Sequence, residues 1–219
     1  MYQVFSDYIL DLNKIHDENC NAVILTRCFP SIRMIEEDIS RLSYDFWFKN
    51  KEISFNTGSA NDIYKAITST YKTEMLQRTL SELVTDVTDI FAHFKDLFKV
   101  ENINFKAEKI INNSCKLFHV YSVHVRAFIT YYGFGTEFLN EGNINALGKT
   151  PWDGKCTPEE KNLKLTIDPR RVTRIFPGDL ILMKGTKWTN KGNFFSPLYH
   201  KSPEISNLNP YRFIVSMDF

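Results

Sequence analysis

The apolar pattern of this chain changes period near Val100, and no fold built from one kind of element satisfies both sides of the change. Before it, Leu76, Leu80, Leu83, Val84, Val87, Ile90, Phe91, Phe94, Leu97 and Phe98 recur at intervals of mostly three and four residues. That spacing lines one face of an α-helix. After it come short runs of strand character at 103–111, 115–121, 125–132, 163–167, 171–176, 179–183 and 212–217. Turn residues separate them, such as Gly133-Phe134-Gly135 and Pro177-Gly178-Asp179. Many short strands with turn signals between them predict a barrel or jelly roll.

The amino-terminal half adds smaller signals. Residues 22–26 (AVILT) read as a strand, and Pro30 opens a helix to about residue 45 with Ile32, Ile35, Ile39 and Leu42 on one face. Residues 50–60 are polar, contain Gly58 and read as a loop. Ile63, Ile67 and Tyr71 form a further helical stripe, with the hydroxyl-rich stretch 68–70 as a break before the long helix. His93 lies beside the main stripe, where a boundary or core histidine is the expected role. The expected architecture is α+β, in one domain. Residues 1–100 form a mainly helical layer, packed on a double-stranded β-helix (jelly-roll, cupin-like) barrel of residues 101–219. At 219 residues the chain is long enough to build its core without disulfide or metal staples.

Charge and cysteine usage narrow the function classes. The 27 basic and 26 acidic residues leave a formal charge of +1, so no basic field exists to hold a phosphate backbone, and nucleic acid is not expected as a partner. The first eighteen residues lack a basic segment followed by an apolar run, and no run approaches the ~20 residues of a membrane span. Cys20, Cys28, Cys115 and Cys156 form no C-x-x-C pair, which fits a reduced, cytoplasmic chain without a cysteine zinc site. No phosphate-binding glycine loop and no G-x-S-x-G elbow is present. The sequence sets no oligomeric state.

One constellation in the second half carries chemistry. In Phe118-His119-Val120-Tyr121 the alternation of a strand places His119 and Tyr121 on one face. His200 follows a long aromatic approach, and Arg212 opens the last strand on the parity of Ile214 and Ser216. Two imidazoles and a carboxylate on one barrel face make a non-haem Fe(II) centre with open positions. An inward arginine clamps a co-substrate carboxylate such as 2-oxoglutarate. The expected short motif is H-x-D or H-x-E, and here its third position is Tyr121. His124, five residues on, faces the other way in a regular strand, and Cys115 reads as a small buried residue. Glu137 is the natural acid partner for a buried Arg212. The plainer reading is two histidines and a structural salt bridge.

The segments CKLFHVYSVHVRAFITYYGFGTEFL, GDLILMKGTKW and HKSPEISNLNPYRFIVSMDF resemble a bacterial family of uncharacterised proteins, domain of unknown function 1826. NAVILTRCFP and ELVTDVTDIFAHF are similar to its amino-terminal half, so the resemblance covers most of the chain. The family pattern reads F-H-x-D with a following arginine, then G-P-G-T-E-W, G-D-x-x-L-x-K-G and H-R-S-P. Phe118, His119, Arg126, Gly133, Gly135, Thr136, Glu137, Gly178, Asp179, Lys184, Gly185, His200, Ser202 and Pro203 match it. Phe134 stands for Pro, Phe138 for Trp, Lys201 for Arg and Tyr121 for Asp.

The resemblance implies a metal set of His119, His200 and Tyr121, with one carboxylate ligand lost. It adds Arg126, Glu137, Lys184 and Ser202 as pocket residues beside Arg212. The expected function is an oxygenase-like metalloprotein taking Fe(II), 2-oxoglutarate and a small-molecule substrate. The alternatives are a non-catalytic protein holding zinc, since members of the family are often encoded near zinc-homeostasis genes, and a metal-free pseudoenzyme or interaction module. Residues 140–161, rich in Gly and Pro, are expected to form an irregular loop at one barrel mouth, with Trp152 as a lid.

Overall fold

The computed structural model describes residues 1–50, 52–112, 115–150, 154–188, 196–207 and 210–219. A seven-stranded sheet forms its centre, ordered β1 (Tyr2–Ser6), β2 (Cys20–Leu25), β8 (Leu180–Lys184), β5 (Val125–Tyr132), β10 (Arg212–Asp218), β4 (Ile103–Ile110) and β3 (Glu52–Thr57). Only the β1–β2 pair is parallel; the other pairs are antiparallel. A small sheet of β7 (Thr173–Arg174), β6 (Glu137–Phe138) and β9 (His200–Lys201) lies against the inner face.

Strand alternation sorts the side chains into two cores. On the outer face Val23, Ala107, Ala127, Ile129, Leu182, Phe213 and Val215 pack under the helices. These are α1 (Ile32–Arg41), α2 (Tyr44–Lys49), α3 (Ala60–Tyr71) and α4 (Gln77–Phe98), which present Ile35, Ile39, Ile63, Ile67, Leu83, Val87 and Phe91. On the inner face Ala22, Ile24, Phe128, Ile181, Met183 and Ile214 meet Phe138, Ile175 and Leu198 from the small sheet side. The same period of two therefore dedicates one face of every central strand to the helical layer and the other to a space between the sheets. Gly135 lets the small sheet close on it: a Cβ there would fall 1.7 Å from the Ile175 carbonyl oxygen.

The long helix and the strands at 125–132, 179–183 and 212–217 lie where periodicity puts them, but the central sheet is not confined to residues 101–219: it takes β1, β2 and β3 from the first hundred residues, which are therefore more than a helical layer. Four further expectations need correction. The helix expected from Pro30 to residue 45 is two helices, α1 and α2, because Ser43 turns the chain and caps α2 by accepting from Phe46 N at 3.1 Å. Residues 52–57, expected as loop, form the edge strand β3; Glu52, Ser54 and Asn56 point to solvent while Ile53 and Phe55 pack inward. Residues 163–167, expected as strand, are mostly the end of helix α5 (Pro158–Leu165), started by a Thr157/Glu160 capping box with proline in the first turn. Residues 115–121 form no strand; only His119 bridges, to His200.

The 140–161 segment holds two short 3-10 turns, Glu141–Asn143 and Ala146–Gly148, before α5 begins. The lid expected at Trp152 falls outside the described residues. No helix among the described residues is long and apolar enough to cross a membrane.

Candidate functional site

Sequence-distant segments meet in a cavity of about 340 Å³ between the sheets, lined among others by His119, Tyr121, Arg126, Thr136, His200 and Ser202. His119 and His200 exchange both backbone hydrogen bonds, at 2.9 and 3.0 Å, which fixes them opposite each other. Their ring centroids are 4.5 Å apart. Each Nδ1 faces the carbonyl two residues earlier in the chain: His119 to Leu117 at 2.8 Å and His200 to Leu198 at 3.1 Å. A nitrogen against a carbonyl carries a proton, so in the neutral form of either ring Nε2 is the atom left with the lone pair. Locking Nδ1–H on a backbone carbonyl is the arrangement that orients a metal-ligating imidazole.

His200 is buried and its Nε2 has no hydrogen-bond partner among the described residues. Burial, with His119 and the Arg126 charge adding to it, pulls its pKa down to about 3, so the ring is neutral and able to donate its lone pair. Tyr121 completes the cluster, 4.1 Å from the His200 ring centroid and 5.5 Å from that of His119. The Arg126 guanidinium lies 3.9 Å over the Tyr121 ring and is ion-paired with Asp218. Burial raises the Tyr121 phenol above its ordinary range, against the opposing pull of Arg126.

Arg212 sits one layer behind the cavity wall and is 1% exposed. Its amino groups donate to the hydroxyls of Ser202 (3.2 Å), Thr130 (3.1 Å) and Thr136 (3.0 Å), and its Nε has no partner among the described residues. The expected acid partner, Glu137, is engaged elsewhere: its carboxylate binds Arg174 and Lys201. Burial pulls the guanidinium pKa down to about 10, against the smaller opposing pull of Tyr121, Glu137 and Glu108. Each hydroxyl that accepts from the guanidinium keeps a proton to donate.

The structure brings together five of the eight residues singled out in the sequence, His119, His200, Tyr121, Arg126 and Ser202, with Arg212 directly behind them. Glu137 does not line this cavity: it ties strands together and lines a second cavity with Arg174 and Lys201. Lys184 is not at the cavity: it shares parity with Leu182 on the outer face, and its Nζ donates to the Asp17 carbonyl at 2.8 Å. Cys115 is exposed rather than buried, at the cavity mouth. His124 does face away, stacked on Phe219. His93 is exposed on α4.

Sequence reading missed Asp218, Thr130 and Thr136. Asp218 shares the parity of Arg212, Ile214 and Ser216, and Thr130 that of Phe128 and Arg126, so strand alternation was the available signal.

The donor chemistry fits a divalent cation in part. Two imidazoles line one cavity, but no group of three His, Cys, Asp or Glu residues able to hold a metal occurs among the described residues. Tyr121, two residues after His119, is the third side chain of the cluster.

The family model for DUF1826, described as a protein of unknown function, matches residues 6–218. The chain belongs to the DUF1826 family. No curated protein matches this DUF1826 sequence. Among solved structures it is similar to AtDAO1, the dioxygenase for auxin oxidation 1 of Arabidopsis thaliana, as its 2-oxoglutarate binary complex. The TM-score is 0.52 at 11% identity, covering 100% of this chain and 91% of that one. SnoK, a non-heme alpha ketoglutarate dependent carbocyclase from nogalamycin biosynthesis, matches with a TM-score of 0.40 at 7% identity, over 95% of this chain and 83% of that chain. The first likeness shows that this DUF1826 chain shares the dioxygenase's fold.

Proposed function

We propose that the two facing sheets are a double-stranded β-helix that works as an Fe(II)- and 2-oxoglutarate-dependent oxygenase acting on a small molecule. The observation that carries this reading is the pair of imidazoles with Nδ1 locked on carbonyls in one cavity, beside a buried arginine that no carboxylate contacts among the described residues. His119 and His200 would hold the metal, and bound Fe(II) would supply dioxygen activation coupled to 2-oxoglutarate decarboxylation. Arg212, through Ser202 and Thr136, holds the far carboxylate of the co-substrate by charge and hydrogen bonds. Phe128 and Ile214 form an apolar wall that excludes water from the reacting end. Zinc at the same nitrogens is the non-catalytic alternative.

The test is anaerobic loading with Fe(II) and 2-oxoglutarate, then exposure to oxygen with succinate measured. Succinate formation that disappears in His200→Ala supports the reading. Metal retained as zinc with no succinate, or no metal at all, removes it.

A second reading has its own observation. Tyr121 fills the carboxylate position and Arg126 packs on it, which suits a metal-free pocket for a small dicarboxylate. Tight 2-oxoglutarate binding in metal-stripped protein distinguishes that case.

A further inference from the structure

We propose that a groove between helix α1 and the turns at 133–135 and 175–177 binds a small alkylated ammonium compound, held by aromatic rings and the Glu36 carboxylate. Among the described residues the groove shares no lining side chain with the cavity of His119 and His200, so this site stands apart from the reading proposed above.

The first observation is the placing of the rings. Tyr132, Phe134 and Phe176 line the groove, with Pro177 and Pro210 beside them. Folding leaves Phe134 39% exposed and Phe176 73% exposed. The turns that carry them are locked together. Gly133 and Gly178 take positive φ of 83° and 88°, and a Cβ on Gly135 would fall on the Ile175 carbonyl. The backbone therefore positions both rings before any ligand arrives. A ring face carries negative potential and attracts a cation, and Arg174 already lies 4.9 Å over Phe134.

The second is charge. Helix α1 brings Glu36 and Glu37 to the same groove. Glu37 is exposed and pairs with Arg41 at 3.6 Å. Glu36 is half-buried, and no hydrogen bond or ion pair holds its carboxylate among the described residues. Burial raises its pKa, with Arg33 opposing, as expected of a carboxylate short of a counter-charge. The lining cation Arg174 is paired with Glu137, so the charge left facing the groove is negative.

The third is the shortage of acceptors, which decides the kind of cation. Apart from the carboxylates, the side-chain acceptors of the groove are the hydroxyls of Ser40 and Tyr132. Ser40 is already bonded to the Glu37 carbonyl and Tyr132 to Tyr211. A primary ammonium would give up water and leave N–H donors unsatisfied. An alkylated ammonium has no such donors to satisfy and sets methyl groups against rings and prolines. The volume of about 620 Å³ is that of a small-molecule pocket, which favours a free compound over a side chain of another protein.

Calorimetric titration of the full chain with choline tests this, beside its uncharged isostere, in which a tert-butyl group replaces the trimethylammonium. Choline should bind with a Kd of about 1 mM or tighter, and the isostere at least about tenfold more weakly. Phe176→Leu should weaken choline by about three- to fivefold and Glu36→Gln by about fivefold. Both side chains reach solvent, so both variants should keep the wild-type melting temperature. A peptide bearing trimethyllysine carries the same headgroup from the other source and should bind no tighter than choline.

Absence of choline binding overturns the inference, and so does an isostere that binds as tightly as choline. Choline affinity unchanged in either variant overturns it by placing the ligand elsewhere. A trimethyllysine peptide binding more than about tenfold tighter than choline overturns the small-molecule assignment and makes the groove a docking surface for protein. Each of these outcomes leaves the oxygenase reading standing.

Discussion

His119 and His200 face each other across a single antiparallel bridge, backbone to backbone at 2.9 and 3.0 Å, with ring centroids 4.5 Å apart. A bridge of that kind sets both the spacing and the direction of the two Cβ bonds, so the rings converge without help from a longer strand. His119→Ala and His200→Ala should each lower Fe(II) affinity, measured with 2-oxoglutarate present, by more than about tenfold. His93→Ala, on the exposed side of α4, should leave it unchanged. Equal loss in all three variants would point to a general effect on folding.

The depressed pKa of His200 makes the metal-free protein acid-sensitive. The folded ring titrates at about 3 against 6.5 for an ordinary histidine, so between those values the unfolded chain binds the extra proton. Stability is therefore full above about pH 6.5 and falls as pH drops toward the folded value. At pH 5 the loss should be about 2 kcal/mol. Urea unfolding at pH 7 and pH 5 measures it, and His200→Gln should flatten the difference. A slope unchanged in that variant assigns the acid sensitivity to other groups.

Glu137 joins all three strands of the small sheet, since it sits on β6 and binds Arg174 of β7 and Lys201 of β9. Burial alone would raise its pKa, and the hydrogen bonds from Lys201 and Arg174 outweigh that and lower it. Glu137→Gln should cost about 1–3 kcal/mol of stability, a drop of some degrees in Tm. It should also weaken metal binding, because Lys201 is the neighbour of His200. A variant with normal Tm would show the triad to be unimportant for β9.

Asp86 on α4 joins the helical layer to the sheet. It accepts from the Tyr131 hydroxyl at 2.5 Å and pairs with Arg27 at 2.6 Å, in a largely buried setting. Asp86→Asn strips the charge that offsets Arg27 and should destabilise by about 3–5 kcal/mol. Fe(II) affinity of the folded fraction should stay the same, because the cluster lies on the outer face. Chemical denaturation and titration of the same preparation check both halves of the expectation.

Gly185 lets the loop carrying His119 and Tyr121 pack against the end of β8. A Cβ there would lie 2.2 Å from the Val123 carbonyl oxygen and 2.7 Å from that of Tyr121. Gly185→Ala should therefore displace the loop, cost about 1–3 kcal/mol and reduce metal affinity with it. Gly142→Ala, where a Cβ meets nothing within 4 Å, is the matched control. Equal melting temperatures for the two variants would show that the loop yields freely.

Legibility followed the length of each pattern. The stripe ending at Phe98 and the strands around Phe128, Ile181 and Val215 were readable because many residues repeat one period. Strand β3 was missed because an edge strand exposes every second side chain, and Glu52, Ser54 and Asn56 read as a polar loop. Helix α5 was mistaken for a strand because Leu163, Leu165 and Ile167 alternate, while the capping box that starts the helix lies before them.

The sequence by itself determined the long helix, the strands that follow it and the inward parity of Arg212, since these follow from local period and residue type. Tertiary structure alone decided that Glu137 binds Arg174 and Lys201 instead of Arg212, that Lys184 turns to Asp17, and that Arg126 caps Tyr121. The reason is physical. A charged side chain pairs with whichever opposite charge or acceptor the sheet register brings within about 3 Å. Register between distant strands is set by the packing of the whole core, not by the residues on either side.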